Sequence, residues 1–278
     1  MLVNLKEILK IGQEKNIAIP AINTPNLETI IAAINTAEKL NCPIIIAHAQ
    51  LHNSFMPIEI IGDIMIGFAK KAKVPVCVHL DHGESFEFCK KAIDMGFTGV
   101  MIDASLKPLA ENIEITKKVV DYAHKRGVGV EAELGSMPTG ETGQENKNSM
   151  YTDPKTAKEF VEKTRVDALA ISFGTAHGIY KVKPVLNIDI IKQIKKQIDT
   201  PLVMHGGSGL SEADYRNVIE AGITKINYYT YLAYEGYAAV KQLVEKESTG
   251  YFHDMTLVAI KAEENKLLDI MKIFTTKQ

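Results

Sequence analysis

The 278-residue chain is predicted to be an α/β protein, a (β/α)8 TIM barrel with extra N- and C-terminal helices, forming one domain over 1–278. Short β-branched runs alternate eight times with amphipathic stretches of helical length, and eight parallel βα units is the number that closes a barrel. Polar residues gather at the C-terminal ends of these runs, the face on which such barrels carry their chemistry. A chain that is 46% hydrophobic and 24% charged can bury a core of this size.

The eight runs lie at 17–22, 43–47, 75–80, 98–102, 127–133, 166–173, 201–205 and 223–228. Between them, Leu27, Ile30, Ile31 and Ile34 give the stripe of a helix buried on one side, and Val119, Val120 and Ala123 continue one begun by Ile113 and Ile115. Ser211 with Asp214 three residues on reads as a capping box, and Thr152-Asp153-Pro154 places proline in a first helical turn. An additional amphipathic segment (Leu5, Ile8, Leu9) opens the chain and is expected to plug the barrel bottom. Another, from about 255 to 273, closes it and is expected on the barrel's outside or against a partner subunit. One stretch breaks the rhythm: 135–150, polar and glycine-punctuated, reads as a functional loop after the fifth strand.

A formal net charge of −2 supplies no basic field for nucleic acid or an anionic membrane, so a phosphorylated substrate must be held by local groups. Charged residues stand where a signal peptide needs an apolar core, and no apolar run approaches membrane-spanning length; the expected location is the cytoplasm. Cys42, Cys77 and Cys89, an odd and unpaired set, read as reduced, buried thiols.

Asn23, Asp81, His82, Asp103, Glu133, His177, His205 and Asn227 all stand at predicted strand ends. His82, His177 and His205 each open or close a polar motif after an apolar run, and three imidazoles converging on one mouth suit a Zn²⁺ that keeps a fourth position open. Asp81, next to a ligand, is placed for general acid/base work, with orientation of a histidine N–H as the competing role. That competing role is favoured for Asp103 and Glu133, either of which could also hold a second divalent ion. His48, His52, His79, His124 and His253 are read as ordinary packing residues. Gly206-Gly207-Ser208-Gly209 and the segment from Asn227 to Thr230 follow strands seven and eight, where barrels commonly bind phosphate.

Taken together, Pro20-Ala21-Ile22-Asn23, Leu80-Asp81-His82-Gly83, Met101-Ile102-Asp103-Ala104-Ser105, Glu131-Ala132-Glu133-Leu134-Gly135, the stretch from Gly174 to Tyr180 and His205-Gly206-Gly207-Ser208-Gly209 make the chain resemble the class II, zinc-dependent fructose- and tagatose-bisphosphate aldolases, on the tagatose-like side. The resemblance implies zinc on His82, His177 and His205, stabilising the enediolate of dihydroxyacetone phosphate. It further implies Asp81 as the group that exchanges the C4 hydroxyl proton and Glu145, in preference to Glu141, as the loop base. Gly178, Lys181, Gly206, Ser208, Asn227 and Thr230 would hold the phosphate end, and Asn23 the substrate. Carbonyls near Ala176, Gly178 and Gly206 could carry a monovalent cation, Na⁺ or K⁺. The expected partners are a phosphorylated sugar and further copies of the chain, as homodimer or homotetramer, with an accessory subunit left open.

Three positions depart from the family's pattern. Ala49 replaces a serine or threonine that faces the aldehyde half, Tyr228, Tyr229 and Tyr231 flank Thr230, and the loop after strand five lacks paired glycines. Two other functions compete. A zinc hydrolase on the same barrel would draw an His-x-His pair from the first strand, which has no histidine. A silent metal-bound subunit of a sugar enzyme would have no need of Asp81 beside three histidines.

Overall fold

The computed structural model describes residues 1–135, 151–247 and 249–276. Its elements run α1 (Leu5–Lys15), β1 (Ile19–Asn23), α2 (Leu27–Leu40), β2 (Ile44–Ala49), α3 (Ile58–Lys71), β3 (Val76–Gly83), α4 (Phe86–Met95), β4 (Gly99–Ile102), α5 (Leu109–His124), β5 (Gly129–Leu134), α6 (Pro154–Thr164), β6 (Ala168–Ile171), α7 (Ile188–Lys195), β7 (Leu202–Met204), α8 (Glu212–Ala221), β8 (Ile223–Tyr228), α9 (Thr230–Lys246) and α10 (Phe252–Thr275). The eight strands close into a barrel in chain order, every neighbouring pair parallel.

Local chemistry sets where helices begin. Asn4 and Ser211 form reciprocal capping boxes with Glu7 and Asp214, and Asp153 caps α6 ahead of Pro154. Strand parity then divides the side chains. Val76, Val78 and Leu80 of β3, and Val130, Ala132 and Leu134 of β5, turn outward into the apolar layer under the helices. The alternate residues Cys77, His79 and Asp81, and Glu131 and Glu133, therefore turn into the barrel.

The barrel is closed from below as expected. Leu5, Ile8 and Leu9 of α1 are fully buried against Ile19, Ala21, Ile45, Cys77, Ala168, Ala170 and Val203. Burial of each such side chain is worth roughly 1.5–3 kcal/mol. At the other end of the chain α10 packs on α9, α2 and α8, starting three residues before the sequence pattern suggested. Leu27, assigned to the buried stripe of α2, is 42% exposed; Ala33 and Ala37 take its place. The three cysteines are free and buried. Among the described residues no helix is long and apolar enough to cross a membrane.

Candidate active site

Two consecutive residues of β3 reach the mouth of the barrel, which simple alternation forbids. The β3–β4 register shifts between Leu80 and Gly83, so three residue steps on β3 face two on β4, and His82 takes a left-handed φ of 47°. This bulge turns His82 inward beside Asp81. It also carries β3 three residues beyond the end expected from the apolar run.

His82, His177 and His205 meet there. Each offers a ring nitrogen, and these atoms lie within 4.8 Å of one another; His82, Asp103 and Glu133 form a second such group. The outer nitrogens of two of the rings are fixed by carboxylates. His82 Nδ1–H donates to Asp103 Oδ2 at 2.7 Å, and His205 Nε2–H donates to Glu131 Oε1 at 2.8 Å. The inner nitrogens, His82 Nε2 and His205 Nδ1, face each other across a 3.0 Å hydrogen bond, whose shared proton a divalent ion would displace. Burial and its two neighbouring histidines push His177 down to about 3, and burial likewise lowers His205. For His82 burial works in the same sense, but Asp81, Asp103 and Glu133 outweigh it and lift the ring to about 10. Three imidazoles crowded on one point, two with their far side on a carboxylate, form a donor set that fits a divalent metal.

Asp81 is 2% exposed, yet held ionised. Burial opposes the charge, while His82, His205 and Lys225 together keep its carboxyl well below the usual range. Asn23 Nδ2 donates to its Oδ2 at 2.9 Å and Asn227 Nδ2 to its Oδ1 at 3.0 Å. Glu133 is the opposite case: burial, with Asp103 next in weight, raises it to about 8.

A cavity of about 490 Å³ opens over these groups. Asn23, Asp103, Glu133, Gly178, Gly206, Ser208, Asn227 and Thr230 line it as expected; Lys181 is exposed and outside the described lining. Gly206 has φ 64°, and a Cβ there would sit 2.4 Å from the Ala176 carbonyl, so only glycine lets the β6 and β7 loops touch. The Gly206 carbonyl accepts from Tyr180 Oη at 2.8 Å, and Ser208 Oγ accepts from the Tyr229 N–H at 3.0 Å. Among the described residues no side chain caps the N-terminus of α9, which leaves its first N–H groups for an anion. On the β2 and β4 side the wall is Ala49, Leu51, His52, Ser105 and Leu106, with the His52 ring 5.1 Å from that of Tyr229. Glu145 and Glu141 lie outside the described residues.

The sequence reading missed Glu131 and Lys225. It placed the carboxylate partner of a histidine at Asp103 and Glu133; Asp103 has that contact, but the partner of His205 is Glu131. The signal was the i, i+2 spacing of Glu131 with Glu133, Lys225 with Asn227 and His79 with Asp81, three pairs of polar residues on inward positions.

A family model described as class II fructose-bisphosphate aldolase matches residues 3–278. The fructose-bisphosphate aldolase of Staphylococcus epidermidis is 39% identical over 255 residues, covering 90% of this chain and 88% of that protein. Among solved structures, the YdjI aldolase of Escherichia coli K12 superposes with a TM-score of 0.88 at 35% identity, over 99% of this chain and 97% of that one. A putative fructose-1,6-biphosphate aldolase from Coccidioides immitis gives 0.87 at 27% identity, over 98% and 96%.

Proposed function

The chain belongs to the class II fructose-bisphosphate aldolase family and is an aldolase, a lyase; from that premise we propose that it reversibly cleaves a ketose phosphate to dihydroxyacetone phosphate and an aldehyde, with Zn²⁺ held by His82, His177 and His205. One observation carries the reading. The inner nitrogens of two histidines meet at 3.0 Å, each ring locked from behind by a carboxylate, directly beside an ionised aspartate that lines the cavity. When bound there, the ion supplies Lewis-acid stabilisation of charge developing on substrate oxygens.

The chain's own residues do the rest. Asp81, kept as a carboxylate, takes the hydroxyl proton of the ketose as the carbon–carbon bond breaks and returns it to the aldehyde oxygen in condensation. Asn23 and Asn227 fix the two carboxylate oxygens from opposite sides, so Asp81 needs no reorganisation when the substrate arrives. Asn23 Oδ1, buried with no partner among the described residues, is an acceptor for a substrate hydroxyl. Gly178, Gly206, Ser208 and the uncapped start of α9 at Thr230 receive the phosphate end, and Lys181 is assigned to it from the exposed β6–α7 segment. Glu145 is assigned the exchange of the proton on the nucleophilic carbon. A Na⁺ or K⁺ ion near the Ala176, Gly178 and Gly206 carbonyls would add charge beside that phosphate.

Metal analysis combined with a coupled assay for dihydroxyacetone phosphate tests the reading. Wild-type protein should hold about one tight divalent ion per chain. His82→Ala, His177→Ala and His205→Ala should each lose it together with cleavage. Unchanged metal content in all three variants would remove the site.

A further inference from the structure

Lys225 enters no step described above, yet it is fully buried between the two halves of the site. Its Nζ forms an ion pair with Glu131 Oε2 at 2.8 Å and donates to Asn227 Oδ1 at 2.7 Å. A lysine head carries only donors, so the side of the Asn227 amide facing it must be the oxygen. The NH₂ side then points the other way, where Nδ2 meets Asp81 Oδ1. Turning the amide over would set two N–H groups against Nζ and aim an oxygen at a carboxylate, losing two hydrogen bonds and creating two repulsions.

We propose that Lys225 is a positioning residue for the carbon–carbon bond step, setting the Asn227 amide so that it holds Asp81 as proton acceptor. The proposal rests on the reading of Asp81 given above. Asn227 lies two residues beyond Lys225 on the same inward face of β8, and Asp81 reaches the amide from β3 across the barrel. Stability alone is a weak reason for such a lysine, because a buried ion pair is often no better than an apolar pair of the same volume. Glu131 ties the same lysine to His205, so one ammonium group orders both the histidine partner and the aspartate partner.

Lys225→Met keeps length and volume and removes the donors. Since it strands Glu131, the companion is the double variant Lys225→Met/Glu131→Gln, in which no buried charge is left alone. Three quantities are compared on zinc-loaded protein: metal content, solvent exchange of the dihydroxyacetone phosphate C–H, which does not need Asp81, and carbon–carbon cleavage, which does. A fourth is read on metal-free protein, the rate at which the Asn227 side-chain amide protons exchange with water.

Because Glu131 is also the partner of His205, zinc is supplied in saturating excess; the expected result in both variants is then full metal loading, C–H exchange within about threefold, and cleavage kcat reduced roughly 10–100-fold at little changed KM, a fraction of what losing the acid/base costs. The Asn227 amide protons should exchange at least about tenfold faster, as a lost protecting hydrogen bond requires. In an Asp81→Asn background Lys225→Met should cost nothing further. Equal losses of C–H exchange and cleavage, or full recovery of cleavage in the double variant, would overturn the proposal and reduce Lys225 to a counterion. Wild-type protein that neither exchanges nor cleaves would overturn the aldolase reading and this proposal together.

Discussion

His82 Nδ1 lies 2.7 Å from Asp103 Oδ2, and this contact decides which nitrogen of His82 faces the cavity. Asp103 is itself fixed, its Oδ1 accepting from the Ser105 hydroxyl at 2.7 Å. Removing such an outer partner typically costs 10–100-fold in metal affinity. Asp103→Ala should therefore weaken zinc binding by about that much, read by competition with a chromophoric chelator. Glu133→Ala should change it less, since Glu133 Oε2 touches no donor in the described structure. The reverse ranking would make Glu133 the orienting group.

Proton transfer is proposed to depend on Asp81. Asp81→Ala should keep the metal and lose cleavage by roughly 10²–10⁴-fold, the usual cost of a general acid/base. Loss of metal along with activity would show that Asp81 holds the ligands and not the proton.

Much of this was legible in the chain. The eight strands were marked by β-branched runs whose ends moved by three residues at most, and the largest shift, at β3, follows from the bulge that delivers His82. His82, His177 and His205 could be found because each sits at the rim, where a polar residue ends an apolar run. Glu131 and Lys225 could not be found the same way. They stand mid-strand, and only the closure of the barrel brings β5 and β8 to face each other across its interior. A charge inside a strand is ambiguous until its partner's strand is placed.

On the β2 and β4 side, where Ala49, Leu51, His52 and Tyr229 meet, substitutions should change the choice of aldehyde only. Ala49→Ser and Leu51→Ala should shift relative kcat/KM among aldehydes while leaving solvent exchange of dihydroxyacetone phosphate within a fewfold range, since pocket contacts of this kind are worth about 1–3 kcal/mol. Abolished exchange in either variant would place that wall at the triose and not at the aldehyde.

In a second cavity that shares Tyr229 with the candidate site, Glu263 of α10 is 5% exposed, its Oε1 accepting from Thr29 Oγ1 at 3.3 Å. Burial, aided by Glu28, pushes it up to about 7. A carboxyl raised on folding binds its proton more tightly in the native state, so its penalty is absent below the unfolded value and grows as pH rises to about 7. Glu263→Gln should match wild type near pH 4.5 and exceed it by about 3 kcal/mol at pH 8. Urea unfolding at the two pH values checks this; a gap independent of pH would mean that Glu263 ionises normally.

The account turns on whether the histidine cluster, and no lysine, activates the ketose. The most direct measurement is cleavage of a ketose phosphate by wild-type protein stripped with a chelator, then reloaded with zinc, with borohydride trapping run on the stripped form. Cleavage should vanish on stripping and return with about one zinc per chain, and borohydride should attach no triose to the protein. Cleavage that persists without metal, with triose trapped on a lysine, would contradict it.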